Sequence, residues 1–181
     1  MGKRLEKLTP ELIDFIGNQK LFFVATAMED GRVNLSPKGM DALRVIDGNR
    51  VIWLNLTGSG NETAAHLQYN NRMTLMFCAF EGKPMILRLY GIAKAYHEHN
   101  PFWKAHIHRF SEIEGSRQLI DMEFDLVQIS CGMGVPYMDY TADREGLKLW
   151  AKKQGKDRII EYRKKKNSIS LDGRPTGLPE A

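Results

Sequence analysis

The chain has 181 residues, 43% hydrophobic and 27% charged, which suits one domain, or one domain plus a short helical extension, and excludes a disordered or fibrous protein. Two cysteines, Cys78 and Cys131, with no Cys-x-x-Cys pairing, exclude a disulfide scaffold and fit a reduced, cytoplasmic setting. No apolar run approaches the roughly 20 residues that span a bilayer, and the net charge of +4 suits a phosphorylated small molecule as well as a nucleic acid.

Thr9-Pro10-Glu11 reads as a helix start, with a hydroxyl N-cap, proline at the first helical position and an acid in the first turn. Leu12, Phe15 and Ile16 recur at helical spacing, so a helix over 9–18 is expected to pack on the main body. Residues 21–28 read as a strand, Glu29-Asp30-Gly31 as a turn, and Arg32 to Leu35 as a returning strand. Asp47-Gly48-Asn49 joins strands over 42–46 and 50–56 into a second hairpin. A helix over 62–69 follows, then strands over 73–80 and 85–96. Residues 101–110 read as helix, 122–130 as a late strand and 144–166 as mostly helix. Five or six antiparallel strands joined by tight turns favour a closed or partly closed barrel over a parallel sheet. The tail 168–177 lacks periodicity, and is either an ordered cap over a site or disordered.

Three segments carry chemistry. In Leu56 to Leu67 a strand runs through Gly58-Ser59-Gly60 into a helix, with Ser59 and Glu62 spaced as a capping box. Free amides and the dipole at such a helix start bind phosphate, and Ser59, Asn61 and Thr63 are placed to add side-chain bonds; an ordinary capped helix is the alternative. In Asn34-Leu35-Ser36-Pro37-Lys38-Gly39 a strand ends in a sharp turn, from which Lys38 projects either over a ligand or into solvent. In Leu87-Arg88-Leu89-Tyr90-Gly91, period 2 puts Arg88 and Tyr90 on the face opposite Leu87 and Leu89. An arginine there needs a carboxylate or a ligand phosphate.

Other signals are weaker. His97 and His99 share one strand face, while His106 and His108 diverge on a helix; no acid or cysteine completes a metal set, and surface roles fit them. Cys131 lies beside Gly132-Met133-Gly134, where backbone approaches a ligand closely; a packed cysteine is the expectation. The basic run Arg163-Lys164-Lys165-Lys166 reads as the solvated last turn of a helix. It has no aromatic platform for bases, so nucleic acid is disfavoured as a partner.

Taken in order, Ser36-Pro37-Lys38-Gly39, the strand end Trp53-Leu54-Asn55, the helix at 61–69 and Arg88-x-x-Gly91 resemble a pyridoxamine 5′-phosphate oxidase-like domain over about the first 97 residues. Gly60 to Leu67, Ser130 to Pro136, Asn167-Ser168 and Asp172-Gly173 extend the similarity to an uncharacterised branch of that FMN-binding group over nearly the whole chain. The resemblance implies a mainly β (α+β) fold, a split antiparallel β-barrel of the FMN-binding type with peripheral helices. Residues 1–140 would form the barrel domain, and 141–181 a helical extension and tail packed on it. It further implies a homodimer with FMN at the subunit interface. The cofactor contacts it implies are Ser36, Pro37, Lys38, Gly39, Asn55, Asn61, Glu62, Thr63, Arg88 and Cys131.

The chain departs from the oxidase pattern in several places. Val33 replaces the arginine that opens the flavin motif, Trp53-Leu54 the Tyr-Thr pair, and Gly60-Asn61-Glu62-Thr63 the Arg-Lys pair; the C-terminal Trp-x-Arg-Leu signature is absent. A flavin-dependent oxidoreductase of an unknown small molecule is therefore expected rather than the named oxidase. A non-catalytic flavin- or haem-binding module is the alternative.

Overall fold

A computed structural model describes residues 2–179. Its eight antiparallel strands are β1 (Lys3–Leu5), β2 (Phe22–Thr26), β3 (Asn34–Lys38), β4 (Leu43–Asp47), β5 (Arg50–Leu56), β6 (Arg72–Cys78), β7 (Ile86–Tyr96) and β8 (Ser116–Ser130). They lie in the order β3-β2-β6-β7-β8-β5-β4, and β1 pairs with the far end of β8. β3 and β4 are thus unpaired edges, and the sheet wraps around its core as a split antiparallel β-barrel. The helices are α1 (Pro10–Asn18), α2 (Glu62–Tyr69), α3 (Pro101–His106, continued by a 3-10 turn) and α4 (Gly146–Lys166).

The expected five or six strands become eight. β1 is three residues of mostly charged sequence with no alternation to reveal it, and it exists because Lys3 and Leu5 pair with Ile129 and Val127 of β8. β8 begins at Ser116 rather than at residue 122, because β5 and β7 flank it along most of its length. That support overrides the weak strand propensity of Arg117 and Gln118. Between Tyr90 and Gly91 the β7–β8 register shifts, and a Cβ on Gly91 would sit 2.0 Å from the Glu123 carbonyl oxygen. Only glycine lets the two backbones approach this closely.

The barrel interior is filled by Val24, Trp53, Leu75, Phe77, Leu89 and Ile120, and α1 covers one end with Leu12 and Ile16. Phe22 stacks on Phe77 at 5.9 Å and meets the Trp53 edge at 6.0 Å. A second cluster lies behind the sheet, where Trp103 and Phe110 cover Ile52, Leu54 and Leu119. β5 is therefore buried on both faces, which explains the unbroken apolar run Val51-Ile52-Trp53-Leu54. Burying each such side chain contributes roughly 1.5–3 kcal/mol.

The cation-rich helix α4 is broken at Gly155, whose φ of 71° and ψ of 170° are not helical. It touches the body chiefly through buried Ala151 and Ile159. No described helix is long and apolar enough to cross a membrane.

Candidate functional site

The unpaired edge β3 inverts the usual pattern of a half-buried strand. Its polar residues Asn34, Ser36 and Lys38 turn inward, while Leu35 and Pro37 face out, with Leu35 63% exposed. Across the split lies the end of β5, where Asn55 is buried and donates to Gln118 Oε1 at 3.0 Å. Between them, Asn34, Ser36, Lys38, Asn55, residues 58–63 and Arg117 line a cavity of about 280 Å³. Six of the expected contacts therefore converge: Ser36, Lys38, Asn55, Asn61, Glu62 and Thr63. Side-chain bonds tie the walls together: Ser36 Oγ donates to Asn34 Oδ1 (3.0 Å), and Asn34 Nδ2 to Thr63 Oγ1 (3.1 Å).

The start of α2 forms one end of the cavity, but not through the expected capping box. Asn61 rather than Ser59 is the N-cap, and the Glu62 carboxylate accepts from the Leu171 amide at 3.1 Å instead of folding back. The C-terminal tail has taken the capping acid away from its own helix. The first bond within α2 runs from the Ala65 amide to the Asn61 carbonyl, which leaves the Glu62, Thr63 and Ala64 amides without a protein acceptor among the described residues.

Arg117, a residue without a sequence signal of its own, is the second cation of the site. It is only 4% exposed, and its Nη1 donates to Gly60 O (3.1 Å) and Asn167 Oδ1 (2.6 Å), both neutral acceptors. Burial, followed by the nearby Arg163 charge, pulls its guanidinium well below the ordinary range. Burial, with Arg117 next, pushes Lys38 down to about 8. The Lys38 ammonium sits 5.3 Å from the centre of the buried Trp53 ring. No carboxylate within bonding distance neutralises either cation among the described residues. Asn61 Oδ1, Arg117 Nε and Gln118 Nε2 are buried polar atoms with no partner. A buried and a half-buried cation, free amides at a helix start and the unpaired donors Arg117 Nε and Gln118 Nε2 together suit an anionic oxygen group.

The tail is an ordered cap. Asn167 is fully buried; it accepts from Arg117, donates through Nδ2 to Gly58 O (3.0 Å), and its carbonyl takes the Thr176 hydroxyl at 2.5 Å. Asp172 pairs with Arg32 and accepts from its amide at 2.8 Å. Among two readings of the tail, cap or disorder, the first is the structure's.

The remaining expected contacts lie elsewhere on this chain. Pro37 faces outward, and Gly39 lies past the cavity, where an added Cβ would meet the Lys20 carbonyl oxygen at 3.2 Å. Arg88 lies opposite Leu87 and Leu89 as periodicity predicts, but its Nη1 donates to Ser130 Oγ at 3.3 Å rather than to a carboxylate. Cys131 is exposed rather than packed, and borders a separate, mostly apolar groove of about 850 Å³ with Phe15, Phe80, Met85 and Tyr140. Gly132 (φ 68°) brings backbone against Met85 of the same chain, which accounts for the glycine there. His97 and His99 lie just past β7 rather than within it, yet their rings are parallel at 6.1 Å.

The family model described as Pyridoxamine 5′-phosphate oxidase matches residues 8–131. A pyridoxamine 5′-phosphate oxidase family protein of Aspergillus flavus, ustO, is 36% identical over 194 aligned positions, which cover 97% of this chain and 78% of that protein. Among solved structures, HupZ of Group A Streptococcus is similar with a TM-score of 0.54 and 20% identity, over 73% of this chain and 99% of that one. A Clostridium acetobutylicum protein related to general stress protein 26 of B. subtilis, of the pyridoxinephosphate oxidase family, has a TM-score of 0.52 and 16% identity, over 67% and 86% of the two chains. At these identities the two structural likenesses concern the fold alone.

Proposed function

The chain belongs to the pyridoxamine 5′-phosphate oxidase family, and from that premise we propose that it binds FMN, holds the phosphate between Lys38 and Arg117, and acts as a flavin-dependent oxidoreductase on a small molecule. The single observation that carries the reading is the pair of cations, half-buried Lys38 and buried Arg117, which line one cavity with the free amides of α2 and have no carboxylate to neutralise them among the described residues. A phosphate monoester satisfies both charges, the Glu62–Ala64 amides and the unpaired Arg117 Nε together. Asn55 and Ser36 lie where a polyhydroxyl chain leaving the phosphate would pass.

A cavity of about 280 Å³ suits the phosphate end of the cofactor better than the whole of it, since pockets for complete ligands of that size class run to roughly 300–1,000 Å³. The ring system would then lie along β3 and need cover from outside. Val33 (73% exposed) and Leu35 (63% exposed) leave an apolar strand edge open, and Met133, Tyr137 and Met138 add exposed apolar surface. We take this surface to be the seat of a second copy, so that FMN lies in a homodimer cleft, and Arg88 and Cys131, outside the cavity of their own chain, belong to the rim of the cleft.

When bound, the flavin supplies hydride or electron transfer. The chain's own part is to bind and orient it, to exclude water with the 167–176 tail, and to place the Lys38 cation beside it. Pyridoxamine phosphate is not the proposed substrate, because the Trp-x-Arg-Leu signature is missing.

The spectrum of the purified protein tests the reading. Two flavin bands that survive dialysis, with a chromophore released by heat that has the mass of FMN, are the expected result. A Soret band, FAD in place of FMN, or a colourless protein that takes up no FMN would overturn it. Oxidation of a nicotinamide donor by the loaded protein then separates an enzyme from a carrier.

A further inference from the structure

Arg117 also borders a second cavity, whose other lining residues are none of those around the first. This cavity has a volume of about 760 Å³, within the range of sites for whole organic ligands. The break at Gly155 sets the last part of α4 as a separate helix, so that Lys156, Ile160, Arg163 and Lys164 fall on one face, and that face lines the cavity. Opposite them stand the parallel rings of His97 and His99. Among the described residues, four cations, Arg117, Lys156, Arg163 and Lys164, thus share the lining with one carboxylate, Glu98.

Among the described residues, none of these cations is spent on a carboxylate hydrogen bond. Arg163 donates to Thr57 Oγ1 (2.8 Å), Ser116 O (2.7 Å) and Gly115 O (3.2 Å), which fixes its guanidinium in place without cancelling its charge. Burial pulls it below its ordinary range, with Glu98 opposing. Burial, the His99 ring, and the Arg117 and Arg163 charges push His97 down to about 4 against a hydrogen bond to the Gly177 backbone, so its ring adds no charge to the cavity at neutral pH. Crowding like charges in a concave, partly buried place costs stability and focuses a positive potential. Ile160, with Leu178 from the tail, adds apolar lining for a carbon skeleton.

We propose that this cavity is a second ligand site, separate from the flavin phosphate site, and that it takes a small organic molecule bearing two or more anionic groups. The α4 cations are therefore a binding wall for a small polyanion and not a nucleic-acid surface.

The test is calorimetric titration of the FMN-loaded protein with pyrophosphate, and in parallel with citrate, at about 0.15 M salt, a strength that screens diffuse surface charge. One site per chain is expected for at least one probe. The double variant K156E/K164E should weaken it by roughly tenfold or more, as loss of two close charges implies. K152E/K153E, on exposed turns of α4 that do not line the cavity, should change it by less than about twofold. Neither variant should alter the flavin bands. Lys38→Met should weaken FMN binding and leave polyanion binding unchanged, so failure of the flavin reading and failure of this one are told apart. The proposal is overturned if neither probe binds, if both α4 variants weaken binding equally, or if Lys38→Met abolishes the polyanion while K156E/K164E spares it. It is also overturned if a single-stranded oligonucleotide competes with a steep salt dependence, the sign of a nucleic-acid face.

Discussion

Replacing Lys38 by methionine separates the two demands that the flavin proposal makes on that residue. Methionine keeps the unbranched stem against Trp53 and removes the charge. In the folded chain without ligand, Lys38 gives up its proton near pH 8, against 10.5 for a free lysine. At about 1.4 kcal/mol per pH unit, keeping it charged at pH 7 costs at most ~3.5 kcal/mol, and ~1–2 kcal/mol after allowance for partial exposure and relaxation. Between about pH 8 and 10.5 the unfolded chain holds more protons than the folded one, so stability rises with pH across that window. Below about 8 the penalty is fully present. Lys38→Met should therefore melt higher than the parent at pH 7 without flavin, and should lack the parent's extra gain between pH 8 and 10.5. With FMN the order reverses. Loss of a charge-assisted bond of ~1.5–3 kcal/mol weakens binding by roughly ten- to a hundredfold. Quenching of FMN fluorescence gives the affinity, and thermal melts of the ligand-free protein from pH 7 to 10.5 give the linkage. A variant that binds FMN within about twofold of the parent, and melts with the same pH profile, would refute the assignment of Lys38 as a phosphate ligand.

Three further perturbations address the frame around the site. Asn167→Ala removes a fully buried acceptor from Arg117 and a donor to Gly58 O; it should cost ~2–3 kcal/mol in thermal melts, and hydrogen exchange at the Leu171 and Gly173 amides should quicken as the tail lifts. Gly91→Ala puts a methyl group 2.0 Å from the Glu123 carbonyl, which backbone cannot relieve without opening the β7–β8 ladder; a loss of ~2–3 kcal/mol or more is expected, and an unchanged melting temperature would contradict the close approach. Leu35→Glu places a carboxylate on the exposed edge of β3; light scattering should show the mass of one chain with weakened flavin retention, and a dimer of unchanged mass with full flavin would exclude this edge from the interface.

Much of the barrel is legible in the sequence, because its signals are local. Glu29-Asp30-Gly31 and Asp47-Gly48-Asn49 mark the hairpins, and the helix over 62–69 has the bounds expected of it. What is not legible is pairing. β1 and the first six residues of β8 are strands only because a neighbour offers a ladder, at Lys3↔Ile129 and at Asn55↔Gln118, and nothing in their own composition marks them. Cys131 was open to misjudgment for a related reason, since whether a thiol near a glycine-rich turn is covered depends on what packs across it.

The same distinction runs through the site, and it explains why half of the receptor is hidden from a one-dimensional reading. Asn61 and Thr63 sit at a helix start whose pattern points at a ligand by itself; Ser36 and Lys38 sit where the sequence reads a sharp turn, whereas β3 runs on through Lys38 because β2 pairs with it, and that pairing turns both side chains inward. Arg117 and Asn167 carry no such pattern: one opens a strand that exists through its partners, and the other follows the cation-rich last turn of a helix. Their meaning is relational. Asn167 gives up its side chain to hold Arg117 and Gly58, and Glu62 leaves its expected cap to hold Leu171, so the tail and the 58–62 loop fix each other. Each exchange removes a polar group that a solitary helix start would have used for itself, and leaves amides and a guanidinium nitrogen unpaired around one cavity. A fold that leaves a buried and a half-buried cation without an acidic partner is less stable by itself than one that pairs them. That deficit is recovered when an anion enters, which is the physical reason to read this cavity as a receptor and not as an imperfectly packed core.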